Sequence, residues 1–242
     1  SRMPLALRFV LGAATEEIAD AFLVQHTAMS ARLTRAKRSL DGAGWAAPDP
    51  AHRDEVLSVI SVLYTLGHTA VAGDSLGRRV DCRTAVELAR AAATAWPEST
   101  EATGLLAVLL LTEARHATRL DGGRATTLRT ADRTHWDASM ISEGLGLATA
   151  VLPTMGRFAL QAGIAGLHSS AATWDATDWP AIVRLYDRLV ERWPSPSAQI
   201  ARAVAIGYAD GPDAGLAALA TVPDGDGATA RQSASARADL LS

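Results

Sequence analysis

Hydrophobic residues recur through most of the chain at the i, i+3, i+4, i+7 spacing of amphipathic helices, and convincing alternation with a period of two is missing. The spacing indicates roughly three short helices before residue 42. After residue 50 it predicts nine helices, near 53–72, 81–95, 100–119, 134–151, 157–171, 179–192, 197–209, 212–221 and 228–241. Between them, residues 121–130 (DGGRATTLRT) predict a loop, with a short extended piece as an alternative. The sequence therefore predicts an all-α fold.

Capping residues and prolines support these boundaries. Ser99 or Thr100 is suited to cap the helix that follows Pro97, and Asp178-Trp179-Pro180 combines an N-cap, an anchor and the proline favoured at a helix start. Gly211-Pro212 separates the two helices that flank it. Several helix ends are thus marked by residues that favour a break.

Two segments of this array resemble each other. Residues 93–102 (ATAWPESTEA) and 190–199 (VERWPSPSAQ) each end one helix at Trp-Pro and begin another within a few residues. Beyond the second segment we expect the small residues Ala201, Ala205 and Gly207 to face the partner helix. Helix-ending prolines and small residues at crossings are typical of tetratricopeptide (TPR) hairpins. Because an even repeat of about 34 residues is missing, the prediction is TPR-like only.

A break in the periodicity divides the chain. Residues 42–50 (GAGWAAPDP) contain two glycines and two prolines, which is typical of a linker. We therefore predict an N-terminal domain over 1–44, a linker over 45–52 and a helical domain over 53–242. The short front part is basic and the remainder is acidic, with a net charge of −3 for the whole chain. This asymmetry favours a nucleic-acid reader joined to a module that does not bind nucleic acid.

Composition and motifs exclude several classes of function. A single cysteine, Cys82, permits no internal disulfide and favours a reducing cytoplasm. The longest apolar run, residues 105–111 (LLAVLLL), is too short to cross a membrane, and no signal peptide is evident. The phosphate-binding, dinucleotide-binding, serine-hydrolase and zinc-protease motifs are all missing. We expect a cytoplasmic protein that is not an enzyme and uses no cofactor, metal or membrane.

The region 15–40 (TEEIADAFLVQHTAMSARLTRAKRSL) predicts two helices about a tight turn. Thr15 is suited to cap the first helix, whose Glu16 and Glu17 favour its positive end. Ile18, Ala19 and Phe22 form its inner face. Residues 23–26 then fit the turn, although Leu23 occupies a position where many such turns carry glycine.

The second helix, from Thr27, separates apolar from cationic positions. Met29, Leu33, Ala36 and Leu40 form one stripe, and the helix carries four cations and no acid. Such a face suits the major groove, where arginine reads guanine and other cations hold phosphates. The alternative is a basic helix that only packs on its neighbour. The predicted DNA-binding residues are Thr27, Ser30, Arg32, Thr34, Arg35, Lys37 and Arg38.

Residues 16–40 resemble region 4 of extracytoplasmic-function sigma factors, which recognises the promoter −35 element. The similarity lies in Glu17-Ile18-Ala19, in Val24 and in residues 31–38 (ARLTRAKR). It implies DNA contacts by Arg32, Arg35, Lys37 and Arg38 together with Thr27 and Ser30. It also implies that the outer surface of this region meets core RNA polymerase.

Further motifs, in order along the chain, resemble the sigma-factor subgroup that carries a C-terminal TPR-like extension. They are residues 78–88 (RRVDCRTAVEL), 104–106, 132–137, 177–179, 185–187, 202–205, 211–216 and 237–241. The resemblance covers almost the whole chain and implies a bacterial transcription initiation factor. Residues 67–70 depart from an Asn-Glu-Gly-Tyr-like segment of the family, and the family's region 2, which melts the −10 element, is absent from this sequence.

For the extension, the resemblance and the charge asymmetry suggest a regulatory or docking platform for a protein partner, acting by masking the basic helix or by binding core polymerase. A second surface for a ligand or partner is predicted at Arg133, Trp136 and Asp178. The competing interpretation has Trp136 in the core and Arg133 bridging to an acid. Glu113 and His116, one helical turn apart, are read as an exposed polar pair rather than a metal site.

Two other functions remain open at this stage. The first is a TPR-like protein-interaction scaffold that does not bind DNA. The second is an enzyme or ligand sensor with a pocket near Arg133 and Trp136.

Overall fold

A computed structural model describes the chain over residues 2–10, 12–22, 24–40, 50–68, 75–121, 124–223 and 227–241. The described residues are overwhelmingly helical, so the predicted all-α class is confirmed. The helices are α1 (Arg2–Leu5), α2 (Thr15–Ala21), α3 (His26–Leu40), α4 (Arg53–His68), α5 (Ser75–Ala95), α6 (Thr100–Glu113), α7 (Ala138–Val151), α8 (Arg157–Ser170), α9 (Trp179–Arg192), α10 (Pro196–Asp210), α11 (Pro212–Leu219) and α12 (Gly227–Leu240).

Shorter elements join some of the helices. Helix α1 continues as a π-helix over Ala6–Val10, and a two-stranded antiparallel ladder pairs β1 (Leu120–Asp121) with β2 (Arg124–Ala125). This ladder is the short extended piece allowed by the sequence in its predicted loop. The 3-10 turns are Pro50–His52, His116–Thr118, Arg133–His135 and Leu152–Thr154.

Helix boundaries agree with most of the predicted positions and differ at three places. The helix predicted from residue 134 begins at Ala138, after the 3-10 turn Arg133–His135. The helix predicted over 100–119 ends at Glu113 and gives way to the 3-10 turn His116–Thr118. The helix predicted from residue 81 begins earlier, at Ser75. Residues 69–72, at the predicted end of the preceding helix, lie outside the described residues.

Helix caps confirm some predictions and overturn one. The Ser99 hydroxyl accepts a hydrogen bond from the Ala102 amide at 3.2 Å, and Asp178 accepts one from Ala181 at 2.9 Å. Thr15, by contrast, is not the cap of α2. Its place is taken by Ala14, whose amide donates to the Glu17 carboxylate at 2.8 Å, because that side chain reaches back over the first turn.

Two compact units make up the chain, one of Ser1–Leu88 with Asp226–Ala228 and one of Ala89–Gly225 with Thr229–Ser242. The predicted linker over 45–52 lies mainly outside the described residues, which resume at Pro50. In the first unit α4 contacts both α1 and α2. The division between units therefore falls later than the predicted linker, and independent folding of 1–44 stays a prediction.

Helix α6 begins the series of packed helices in the second unit. It packs against α7 and α8, and it is buried on nearly every side because its sequence carries leucine and alanine all round. Beyond it, contacts run in chain order from α8 to α9, α10 and α11. The core is thus a series of helix layers rather than one amphipathic seam.

Glycine allows two of these helices to meet at very close range. A Cβ atom placed on Gly215 of α11 would lie 2.7 Å from the Gly207 Cα atom of α10, closer than real Cβ contacts allow. Of the small residues predicted to face the partner helix, Gly207 lies at this crossing, Ala205 is buried in the cluster with residues of α8 and α9, and Ala201 is half-buried. Close approach at α10 and α11 therefore depends on residues without bulky side chains.

Candidate functional site

Helices α2 and α3 pack through a small apolar seam. Ile18 and Ala19 of α2 are buried, as are Met29 and Leu33 of α3. In the connection, the Val24 amide donates to the Ala19 carbonyl at 3.0 Å. Residues 15–40 therefore form two packed helices with a short connection. Leu23 lies outside the described residues, and the side chain of Leu40 is not described.

All seven predicted DNA-binding side chains are exposed on α3. Thr27, Thr34, Arg35 and Arg38 lie opposite the Met29–Leu33 seam, and Ser30, Arg32 and Lys37 lie on its flanks. Among the residues that the structure describes, Arg32, Arg35 and Arg38 form no hydrogen bond or ion pair. Their guanidinium groups are thus available to an external anion. We call this surface the basic face.

Two further contacts shape the basic face. The Thr34 hydroxyl donates to the Ser30 carbonyl at 3.0 Å, which orients this side chain along the helix. At the start of α3, His26 Nε2 lies 3.2 Å from Glu16 Oε1 in the first turn of α2. Both groups are exposed, so this contact contributes little to stability. It does keep the acidic turn of α2 beside the start of α3, away from Arg35 and Arg38.

The positions of the cations show which of them can stabilise the end of the helix. Lys37 and Arg38 lie in the last turn of α3, where positive charge stabilises the negative end of the helix. Arg32 and Arg35 lie in the middle of the helix, where this benefit is lost because the effect falls off within one turn. The two central arginines therefore have no structural explanation within the helix.

The predicted second surface does not form a single site. Arg133 Nη1 donates to the carbonyls of His168 at 2.7 Å and Ala171 at 2.6 Å, and its guanidinium lies 4.6 Å from the centre of the Trp136 ring. The expected bridge from Arg133 to an acid is therefore wrong: Nη1 donates to backbone oxygens instead, and Nη2 is buried without a hydrogen-bond partner among the described residues. Trp136 is buried, as the core interpretation predicts, and its ring N–H donates to Thr118 Oγ1 at 2.9 Å. The remaining member, Asp178, caps α9.

The polar pair at the end of α6 is not exposed as predicted. Glu113 is buried, and its Oε1 lies 3.8 Å from His116 Nδ1. Within the described ranges, no group of three histidine, cysteine or acidic residues is placed to hold a metal ion. Cys82 is fully buried inside α5 rather than near its start, with its Sγ 3.9 Å from the Tyr64 carbonyl oxygen.

The second unit contains a cluster of aromatic rings that the sequence did not predict. Trp179 and Tyr208 stack with ring centres 4.6 Å apart, and Trp174 meets both rings edge-on at 4.8 and 4.9 Å. His168 meets Trp179 edge-on at 5.3 Å. The rings come from α8, a loop, α9 and α10, so no local spacing in the sequence signals their meeting.

These rings line an open cavity of about 440 Å³, which we call the aromatic pocket. Its apolar lining includes Ile200 and Val204 of α10, and its polar lining includes Arg129, Ser235 and Asp239. The Tyr208 hydroxyl donates to Asp239 at 2.9 Å, which joins α10 to α12 beside the pocket. Apolar walls with a few convergent polar groups are typical of small-molecule sites.

Burial sets the ionisation of the groups around the aromatic pocket. It lowers the pKa of His168 to about 4, with the positive charges of Arg115 and Arg133 adding to the effect. Burial likewise raises the pKa of Tyr186 to about 12. For Tyr208, burial and the hydrogen bond to Asp239 raise the pKa, while Arg129 opposes the shift. The inner wall is therefore uncharged near neutral pH.

Comparison with known proteins gives two similarities. Residues 52–152 match a family of unknown function (DUF6596). Over 226 residues, covering 89% of this chain, the sequence is 37% identical to uncharacterized protein R00370 of Rhizobium meliloti (strain 1021), of which it covers 53%. The chain thus spans about half the length of that relative. No solved structure is significantly similar to the present chain.

No helix among the described residues is both long enough and apolar enough to cross a membrane.

Proposed function

We propose that this chain is the promoter-reading part of a bacterial transcription initiation factor of the extracytoplasmic-function sigma type. The observation that carries the proposal is the basic face, with Arg32, Arg35 and Arg38 exposed and without partners among the described residues. An exposed helix with four cations and no acid attracts polyanions. The resemblance of residues 16–40 to sigma region 4 specifies the polyanion as duplex DNA at the −35 element.

Helix α3 has the form that a recognition helix requires. It follows α2 after a short connection, buries Met29 and Leu33, and leaves its other side free to enter the major groove. In the proposed helix-turn-helix arrangement, Arg32 and Arg35 are the candidates for paired hydrogen bonds to guanine. Lys37 and Arg38, at the end of the helix, would contact phosphates.

The second unit is proposed as a TPR-like platform for a protein partner, with core RNA polymerase as the first candidate. Support comes from its serial helix contacts and from the Gly207–Gly215 approach, which is the kind of close crossing that stacked hairpins need. In the family that the sequence resembles, region 2 melts the promoter. The activity proposed for residues 1–242 is promoter recognition and docking.

Selection from a randomised duplex pool, followed by fluorescence anisotropy with the enriched duplex, tests the DNA role. We expect the 242-residue chain to bind with a strong salt dependence, because cations of the basic face displace counterions from phosphates. The double variant Arg35→Ala/Arg38→Ala should bind at least about tenfold more weakly and make the log–log salt slope shallower by about two.

A charge-matched control is available elsewhere in the chain. Arg83 and Arg237 are exposed arginines outside α3, so Arg83→Ala/Arg237→Ala removes the same net charge from other surfaces. This control should bind almost like the parent chain. Equal losses in both double variants, or no selected sequence at all, would refute promoter reading and favour a scaffold that does not bind DNA.

A further inference from the structure

We propose that the aromatic pocket binds a small planar aromatic carboxylate. This inference goes beyond the proposed promoter reading and does not rest on it, because the pocket is built entirely from residues of the second unit. On this proposal the second unit binds a small molecule in addition to the proposed protein partner.

Size and lining fit a small organic molecule rather than a protein segment. The cavity of about 440 Å³ falls within the range of roughly 300–1,000 Å³ that is typical of small-molecule sites. Its walls come from the 127–129 loop and from α8, α9, α10 and α12, which converge on one opening. An extended peptide would need a groove that continues beyond such a cavity.

The rings select a flat partner. Trp174, Trp179 and Tyr208 are only half-buried although they pack against one another, so part of each ring faces the pocket. Aromatic rings prefer edge-to-face or offset stacked neighbours at this range of distances. With centres 4.6 to 4.9 Å apart, the three rings touch one another and leave no room for a cation between them. They form a platform rather than a cage.

The inner wall favours the uncharged end of the ligand. His168 is neutral near pH 7, since its burial and the neighbouring Arg115 and Arg133 disfavour the imidazolium form. Beside it lie the apolar side chains of Ile182 and Val204. A hydrocarbon ring system can enter this end without losing hydration of a charged group.

The rim supplies a cation for the carboxylate. Arg129 is exposed at the edge of the pocket, and it forms no ion pair with a carboxylate among the residues described. The other charged group at the rim, Asp239, already accepts the Tyr208 hydroxyl. A ligand carboxylate at Arg129 would gain a charge-assisted hydrogen bond, which is stronger than a neutral one. The rim thus holds one cation, Arg129, which also interacts with the Tyr208 hydroxyl, and one anion, Asp239; a ligand carboxylate would bind at Arg129.

Isothermal titration of the full 242-residue chain with naphthoate tests the inference, with naphthamide as the neutral analogue. We expect saturable one-to-one binding of naphthoate. Arg129→Gln should weaken it at least about tenfold while changing naphthamide binding by less than about threefold, because only the carboxylate loses a charged partner. Arg188→Gln, an exposed arginine of α9 outside the pocket, is the matched control and should leave both affinities unchanged.

A blocking variant tests the location. Ser235 lies on the pocket wall and is exposed, so Ser235→Trp can fill the space without disturbing the core. Unaltered circular dichroism together with loss of naphthoate binding supports the proposal. It fails if the parent chain gives no saturable binding in the millimolar range, if Ser235→Trp binds like the parent, or if naphthylmethylammonium binds more tightly than naphthoate. Each of these results is independent of DNA binding, which Arg129→Gln should not affect.

Discussion

Helices α3 and α10 have the same length, 15 residues, and use their polar groups in opposite ways. In α10 the arginine and the tyrosine both have partners, with Arg202 2.6 Å from Asp187 and Tyr208 2.9 Å from Asp239. In α3 three arginines point to solvent without a partner among the described residues.

This difference helps to distinguish cations that hold helices together from cations that are available to a partner outside the fold. A cation that holds helices together is identified by the acid or carbonyl it meets, as Arg133 meets the end of α8. A cation with no such contact adds little to the stability of the fold. This contrast supports the proposal that α3 binds a partner outside the fold, whereas the polar groups of α10 hold helices together.

The largest expected effect concerns the ring cluster that α10 supports. Because the pKa of His168 falls to about 4 in the folded protein, from about 6.5 unfolded, its neutral form stabilises the fold above about pH 6.5. That stability is lost as the pH falls from there towards 4, by at most about 3 kcal/mol for this group. Urea unfolding at several pH values should show a smaller loss in His168→Phe than in the parent. Identical pH profiles would mean that His168 is not held neutral.

A second prediction tests the close crossing of α10. Gly215→Ala should lower the free energy of unfolding by about 2 kcal/mol, because its methyl group would collide with the backbone at Gly207. Gly146 of α7 provides the control, since a Cβ there meets nothing within 4 Å. Gly146→Ala should instead stabilise by about 0.5–1 kcal/mol through helix propensity. A neutral Gly215→Ala variant would show that this approach is looser than described.

The smallest expected effects are changes in the free energy of unfolding when a single arginine of either helix is replaced, measured by thermal or urea unfolding. Arg202→Met removes the partner of a half-exposed Asp187 and should cost about 0.5–1 kcal/mol. Arg35→Met on α3 should change stability by less than about 0.5 kcal/mol. If Arg35→Met proves as costly as Arg202→Met, the basic face has a structural role and the contrast between the helices fails.

The sequence predicts the helices and the seam of α3 well because both depend on local patterns. Met29 and Leu33 are four residues apart, so one helix places them together whatever surrounds it. Asp178 and Ser99 cap their helices for similarly local reasons.

Features that depend on distant residues could not be predicted in this way. The aromatic pocket brings together His168, Trp174, Trp179 and Tyr208. These rings lie in four separate segments, so no helix period relates their positions in the sequence. Arg133 was expected to form an ion pair with a carboxylate. It donates instead to two backbone carbonyls, and the position of these carbonyls depends on where α8 ends. The burial of Glu113 likewise follows from tertiary packing and not from its i, i+3 relation to His116.

The apolar character of α6 has a consequence for biosynthesis. On the ribosome this helix emerges well before α7 and α8, the two helices that cover it, since α8 ends 57 residues after Glu113. During that interval the LLAVLLL segment has no native cover, and such segments bind chaperones or aggregate. Truncations that stop between Glu113 and Arg157 should therefore yield insoluble protein, whatever the state of the preceding helices.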